Sequence, residues 1–253
     1  MFTKWKALPL LALLLCSGNL HADELISLKA GYQVLSPEGT IAGSINGQGG
    51  KVDIQDDLNL DDSEEFTGEV ALQWGDTRLA LNYLPIDLSG TGTLSKSIEL
   101  NGQVFNASTR VNSDLTIDLY DFSLTHYLIN FDDLPVRLQL GPELSVKVAD
   151  AEFSVKDLTT GESASESVTA PIPTIGARGR VALSDFLGVS GRIGYMEFDG
   201  NHFMDAEAQV EFSPLPVVGF YAGYRYFDLK IDESDLYVET EISGPFAGAL
   251  VRF

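Results

Sequence analysis

Few histidines in this sequence are available for acid–base catalysis. It has three histidines, and His202 is flanked by the carboxylates of Asp199 and Asp205. One arrangement for acid–base hydrolysis holds a histidine near a carboxylate or a hydroxyl nucleophile, so these three residues form the candidate hydrolytic site. No glycine-rich phosphate loop, zinc-ligand spacing or nucleotide fingerprint accompanies them. We therefore predict that the chain is not an enzyme.

Carboxylates are concentrated between residues 53 and 65, in the segment DIQDDLNLDDSEE. Carboxylate oxygens are hard ligands that suit Ca²⁺ or Mg²⁺. The spacing lacks the alternating Asp-x-Asp-x-Asp-Gly of a helix-loop-helix calcium site. Two expectations stay open: cation contact by Asp56, Asp57, Asp61 and Asp62, or a solvated acidic loop without metal. No other cofactor is expected.

A third set of charges lies on segments in which every second residue is apolar. At residues 204–212, Met204, Ala206 and Ala208 alternate with Asp205 and Glu207. If the apolar faces point away from the interior of a barrel, the charged faces meet inside it, where buried charges persist only when they are paired. We expect lumenal ion pairs among Glu69, Arg137, Arg178, Arg180, Arg192, Glu207, Glu211, Arg225 and Glu239, with Glu143, Lys147 and Glu241 on the same faces.

Ten segments show the period of two that predicts β-strands. They cover residues 25–35, 66–74, 78–88, 115–128, 136–148, 173–183, 189–198, 204–212, 218–226 and 236–253. Long polar loops are predicted at 37–65, 89–114 and 150–170, with short turns between most other segments. In the fourth segment the apolar phase slips, which predicts a β-bulge near Leu119.

The first 22 residues have the pattern of a cleaved secretory signal peptide. Lys4 and Lys6 precede an apolar run at 7–15, and Ala22 ends the segment. The run is too short to span a bilayer as a helix. A lipoprotein signal at Cys16 is disfavoured, because Leu15 stands where a small residue is expected. Cleavage would remove the only cysteine, so residues 23–253, predicted to form one barrel domain, cannot contain a disulfide.

Composition narrows the class of protein. Asp and Glu number 37 against 16 Lys and Arg, a formal net charge of −21. This excludes a general nucleic-acid role, for which a basic face is needed, and it suits a surface that meets divalent cations. No stretch after residue 22 has the apolar length of a membrane helix. Any membrane-spanning structure must therefore be a closed sheet, which satisfies every backbone group in lipid.

We predict an all-β fold, a closed antiparallel transmembrane β-barrel of about ten strands. Eight or twelve strands are the alternatives, and short periplasmic turns with longer extracellular loops are expected. The charged faces carry both signs, interleaved, as a paired interior requires. A soluble barrel of the lipocalin type, with apolar faces inward, is the competing interpretation.

The last segment, LYVETEISGPFAGALVRF at 236–253, alternates apolar with small or polar residues and ends on Phe253. It resembles the closing strand and assembly signal of Gram-negative outer-membrane β-barrels. The resemblance implies location in the cell outer membrane and recognition by the barrel-assembly machinery. His202 with Asp199 and Asp205 resembles, in outline, the Asp/His arrangement of ten-stranded omptin proteases, but the surrounding motifs do not match.

Residues 52–62, VDIQDDLNLDD, resemble the early "IDLxDDLxLDD" motif of a family of small proteobacterial outer-membrane barrels. Ile54 replaces the usual Leu and Gln55 interrupts the acids. The resemblance implies the barrel and the outer membrane but brings no activity. The predicted function is a monomeric structural or interaction barrel that contacts outer-membrane lipid and lipopolysaccharide. The alternatives are a narrow, porin-like channel for small solutes and a hydrolase with its site at the rim.

Overall fold

The wall of the molecule is one antiparallel sheet that closes on itself. The computed structural model describes residues 25–43, 51–131, 136–232 and 236–253. The signal peptide predicted for residues 1–22 lies outside these residues. Within the described part of the chain, no apolar helix reaches membrane-spanning length.

Fourteen strands are present in the described residues. They are β1 Ile26–Gly43, β2 Val52–Asp53, β3 Ser63–Trp74, β4 Thr77–Thr93, β5 Ile98–Leu100, β6 Gln103–Phe105, β7 Arg110–His126, β8 Ile129–Phe131, β9 Arg137–Asp157, β10 Ser163–Ala182, β11 Leu187–Phe198, β12 Asn201–Phe212, β13 Val218–Asp232 and β14 Leu236–Arg252. Ten of them form the wall, and each pairs antiparallel with the next in the chain. β1 pairs with β14 and closes the barrel. The predicted ten-stranded antiparallel barrel is confirmed.

The two ends of the barrel differ in their connections. At the turn end, where β1 begins and β14 ends, short segments such as Gly75-Asp76 join the wall strands. At the loop end, the connections at 44–62 and 94–109 are long. The loop predicted at 150–170 is wrong, because β9 continues to Asp157 and β10 starts at Ser163, leaving a five-residue connection. The polar side chains there, for example Glu152 and Lys156, lie on the exposed outer face of a strand rather than in a loop.

The hydrophobic pattern of the wall inverts halfway along the strands. On β4, Leu79 and Leu81 point outward while Arg78 is buried inside; farther along, Leu84 is buried inside and Asp87 points outward. We call the two parts the turn-end half and the loop-end half. The same change occurs on β7 between Leu119, which is buried inside, and Tyr120, which is exposed. The outer face is therefore apolar in one half and polar in the other.

The bulge predicted near Leu119 is wrong. β7 pairs with β4 in one uninterrupted register from Arg110 to His126, and its register with β9 is also continuous. The apolar phase slips because Leu119 fills the interior of the loop-end half, whereas Tyr120 and Phe122 face outward in the turn-end half. A change of environment along a straight strand thus mimics a bulge in the sequence pattern.

Two chain segments close the loop-end half with apolar side chains. Residues 51–62 insert Val52, Ile54, Leu58 and Leu60, and residues 94–109 insert Leu94, Ile98, Leu100 and Phe105. They join inward residues of the wall in one hydrophobic core. The segment 51–62 lies so close to β4 that a Cβ on Gly92 would stand 1.9 Å from the Asp57 carbonyl oxygen. The apolar side chains of residues 52–62 therefore cover the loop end of the barrel interior, and the acidic side chains of the same segment lie beside them.

Aromatic side chains mark the edges of the apolar outer face. At the turn end, exposed aromatics include Trp74, Phe212 and Phe253. At the level of the inversion, Tyr83 lies against Tyr120, with ring centroids 5.1 Å apart, and Tyr32 contacts Phe66 edge to face. Two such aromatic belts are the pattern of a barrel wall that crosses a bilayer.

Candidate functional site

The interior of the turn-end half is filled by charged side chains, which we call the lumenal network. At its centre, Lys147 lies on β9 with its Nζ 2.9 Å from Asp121 Oδ2 and 3.0 Å from Asp205 Oδ2. Asp205 also receives Arg192 at 3.0 Å and Arg225 at 3.1 Å. Lys147 and Asp205 are completely buried. These side chains come from five strands, and each is aimed inward because its apolar neighbours occupy the outer face.

A second group surrounds Glu143 on β9. Its Oε2 accepts hydrogen bonds from Arg178 Nε at 2.7 Å and from Thr125 Oγ1 at 2.7 Å. Arg192 Nε lies 3.3 Å from the other carboxylate oxygen and links this group to the centre. Strands β7, β9, β10 and β11 are thus tied together through one carboxylate.

The third group lies nearest the turn end. Arg78 Nη2 donates to Glu69 Oε1 at 2.7 Å, and Arg252 Nη2 donates to Glu211 Oε2 at 2.6 Å. Lys29 Nζ stands between the two acids, 3.7 Å from Glu69 and 3.9 Å from Glu211. Arg180, which is partly exposed, also contacts Glu211 at 3.1 Å.

This arrangement leaves little open space. The lumen of the turn-end half retains cavities of about 60 and 40 Å³. Above them, the hydrophobic core and its two covering segments occupy the loop-end half. Paired charges are tolerated in a dry interior because the attraction between partners offsets the loss of hydration. The geometry fits an interior filled by side chains, as expected for a barrel of about ten strands.

The structure brings most of the sequence-predicted lumenal residues together. Those that line the interior are Glu69, Arg178, Arg180, Arg192, Glu207, Glu211 and Arg225. Arg137 instead lies at the exposed rim of the turn end, 3.7 Å from Asp185. Glu239 and Glu241 are exposed on the outer face. They belong to the first part of β14, which lies in the loop-end half, where polar residues face outward.

Sequence reasoning missed several members of the network. Lys29, Arg78, Asp121 and Arg252 all line the interior, and three of them make ion pairs shorter than 3 Å. Their signal was available in the alternation: Arg78 precedes the outward Leu79, and Asp121 lies between the outward Tyr120 and Phe122. The bulge assigned near Leu119 obscured the phase of Asp121.

The candidate cation ligands do not come together. Asp56, Asp61 and Asp62 are exposed, while the buried Asp57 accepts hydrogen bonds from Asp53 N at 2.9 Å and Ser95 Oγ at 2.8 Å. Within the described ranges, no group of three or more His, Cys, Asp or Glu side chains could hold a metal ion. Asp57 ties the first covering segment to the second.

The candidate hydrolytic residues also lie apart. His202 and Asp205 are on opposite faces of β12, because an odd spacing of three residues reverses the facing and Asp205 belongs to the buried network. His202 Nε2 lies 3.2 Å from Asp228 Oδ1, and Asp199 occupies the adjacent turn with a φ of 51°. His126 contacts Thr77 at the turn end. The predicted grouping of His202 with Asp199 and Asp205 is not formed.

Solved structures of outer-membrane proteins are similar to this chain. The outer-membrane protease OmpT of Escherichia coli superimposes with a TM-score of 0.65 at 10% sequence identity, covering 93% of this chain and 99% of that one. Ail of Yersinia pestis matches with a TM-score of 0.36, 10% identity and coverage of 90% and 99%, and Neisserial surface protein A with 0.35, 14% and coverage of 92% and 100%. No protein-family model and no curated protein matches the sequence. The chain has an outer-membrane β-barrel fold.

Proposed function

We propose that the protein is an integral outer-membrane β-barrel with a closed, charge-filled lumen and a structural or interaction role. The observation that carries this proposal is the inversion of the wall. The outer face of the turn-end half is apolar between two aromatic belts, while its interior is charged and paired. That combination fits acyl chains outside and a dense polar interior inside.

The closed interior argues for a role outside transport. Two covering segments pack apolar side chains across the loop end, and paired charges fill the turn-end half. The candidate hydrolytic residues lie on different faces, which supports a role without catalysis. Residues 52–62 resemble the motif of an outer-membrane barrel family. The location predicted from that resemblance fits this role.

The loop end is the surface through which the protein would meet partners. Acidic side chains of the first covering segment, including Asp56, Asp61 and Asp62, are exposed there. We propose that they contact lipopolysaccharide through bridging divalent cations, which carboxylates bind with oxygen ligands. β14 would be the element recognised by the barrel-assembly machinery, and the folded barrel would act as a monomer.

Fractionation and gel migration test the membrane location. We expect the protein in outer-membrane fractions, resistant to extraction by carbonate, with a folded form that migrates faster on unheated gels than the boiled form. A monomer purified from periplasm without detergent would contradict the proposal.

Planar-bilayer recordings test the closed lumen. We expect no steady conductance from the native barrel. As a matched pair, we would record Asp205→Ala, which removes the central acid of the lumenal network, and Glu152→Ala, which removes an exposed acid from the outer face. A stable nanosiemens opening in the native protein would favour the narrow channel instead.

A further inference from the structure

The larger lumenal cavity lies at the turn end and is unusually rich in cations. Its volume is about 60 Å³. Its charged lining consists of Lys29, Arg78, Arg178, Arg180, Arg252 and one acid, Glu211. Hydroxyls and carboxamides make up most of the remaining lining. Because Arg180 is partly exposed, the cavity communicates with water at this end of the barrel.

Positive charge exceeds negative charge around this cavity. Three carboxylates serve its cations: Glu69 pairs with Arg78, Glu143 with Arg178, and Glu211 with Arg180. Lys29 adds a fourth cation and shares Glu69 and Glu211 with these arginines. With Arg252 left out of the count, these four cations exceed their three carboxylate partners by one positive charge.

The centre of the network is different, because its charges balance. Asp121, Asp205 and Glu207 face Lys147, Arg192 and Arg225 there. Excess positive charge among side chains that are mostly buried is unfavourable unless a counter-charge is bound. The imbalance therefore singles out the turn-end cavity as the place where an anion would be stabilised.

Two guanidinium nitrogens at the cavity also lack a partner. Arg78 Nη1 and Arg180 Nε are buried and make no hydrogen bond within the described residues. Arg78 itself is only 8% exposed. Buried donors in folded proteins are almost always satisfied by protein, water or ligand, so these two indicate a group that accepts hydrogen bonds inside the cavity.

We propose that the cavity binds a small tetrahedral oxyanion, such as inorganic phosphate or sulfate. Its negative charge would neutralise the excess, and its oxygens suit guanidinium groups, which bind phosphate through paired hydrogen bonds. At roughly 10 to 15 Å³ per water the space holds about four to six waters, enough for one such anion. The lining faces the lumen, not the lipid, so the anion comes from solution at the turn end.

Calorimetric titration of the folded protein with inorganic phosphate, in detergent and at constant ionic strength in chloride, tests the proposal. We expect saturable binding of one phosphate per chain. Arg180→Gln should weaken it at least tenfold, because this residue lines the cavity. Lys156→Gln removes a cation from the exposed outer face at the loop end and should change binding less than twofold. Absence of saturable binding, or equal weakening by both variants, would overturn the proposal.

Two further arms sharpen the result. Arg78→Gln should also weaken binding at least tenfold in protein that keeps heat-modifiable migration; if it does not fold, Arg180→Gln alone decides. For this arm the protein is reconstituted into vesicles, of phosphatidylcholine alone or with phosphatidylglycerol, which presents phosphate only at the bilayer surface. We expect the phosphatidylglycerol vesicles not to displace inorganic phosphate. Displacement by the vesicles would overturn the assignment to a soluble anion.

Discussion

The two halves of the barrel share one set of strands but bury opposite kinds of side chain. In the turn-end half, the interior holds ion pairs such as Lys147 with Asp205, and leucines face outward. In the loop-end half, leucines fill the interior and acids face outward. The strand backbone is indifferent to this choice, since alternate residues always face opposite sides. The medium outside the wall therefore decides which face is apolar.

The boundary between the halves runs level around part of the wall. Tyr83 on β4 pairs with Tyr120 on β7, which pairs with Val148 on β9. Toward the loop end, the next outward residue is Asp118 after Tyr120 and Asp150 after Val148, while on β4 Pro85 lies between Tyr83 and Asp87. Tyr83 donates a 2.5 Å hydrogen bond to Asp118. A level boundary across adjacent strands fits the membrane location that we propose, because the surface of a bilayer is flat on this scale.

Removing a central charge should have the largest effect. Asp205→Ala leaves Lys147, Arg192 and Arg225 without their shared acid, and we expect the free energy of unfolding to fall by about 3 to 5 kcal/mol. Urea unfolding in lipid vesicles, followed by the fluorescence of Trp74, measures it.

The control for this loss is Glu152→Ala, an exposed acid of the loop-end half, which should change stability by about 0.5 kcal/mol or less. The double variant Asp205→Leu with Lys147→Met removes one charge of each sign and should recover part of the loss. If Asp205→Ala and Glu152→Ala lowered the free energy of unfolding equally, the lumenal network would not be what stabilises the turn-end half.

The loop-end half should instead respond to lost apolar volume. Leu84→Ala removes a buried side chain from the core, and we expect a loss of about 2 to 5 kcal/mol from transfer and cavity formation. Leu81→Ala makes the same chemical change on the outer apolar face, where acyl chains can fill the space, so its loss should be smaller. The same vesicle unfolding assay compares them. Equal losses would contradict the assignment of the two faces.

The closure of the loop end depends on close backbone contact. A Cβ at position 92 would stand 1.9 Å from the Asp57 carbonyl oxygen, so Gly92→Ala should displace residues 51–62. In protein lacking residues 1–22, and therefore Cys16, we expect maleimide to label Leu58→Cys at least tenfold faster when Gly92→Ala is present. Gly68→Ala is the control, because its nearest neighbour would be 3.8 Å away. Unchanged protection of the introduced thiol would show that residues 51–62 keep their position in the presence of the extra methyl.

The smallest effect should come from the connection between β9 and β10. Asp157 Oδ1 accepts the Thr159 and Thr160 N–H groups at 2.6 and 3.1 Å, and these donors lower the pKa of Asp157. The stabilisation that the Asp157 carboxylate gives to the folded state is thus fully present above the pKa of the unfolded chain, about 3.9. It is lost as the pH falls through the lowered pKa of the folded state. Asp157→Ala should speed amide exchange at these two threonines at neutral pH. Equal exchange rates in the native protein and in Asp157→Ala would show that the carboxylate does not stabilise this connection.

The alternation of side chains was enough to predict the barrel and much of its interior. Ten segments, the inward acids of β12 and the outward apolar residues of β13 follow from period two alone. The inversion could not be predicted so easily, because either phase satisfies period two. It displaced Glu239 to the outer face, produced the apparent slip at Leu119, and made the polar outer residues of β9 and β10 look like a loop.

The seam between β1 and β14 has a consequence for how the molecule forms. Ile26 N donates to the Phe253 carbonyl oxygen at 3.2 Å, and Phe253 N donates to the Ile26 carbonyl oxygen at 2.9 Å. The first and last wall strands are thus in contact although nearly the whole sequence separates them. Of the contacts in the wall, this one has the largest entropic cost of loop closure. Until that contact is made, the sheet has two open edges able to pair with other chains. We therefore expect ring closure to be the slow step, and the chain to be most prone to aggregate before it.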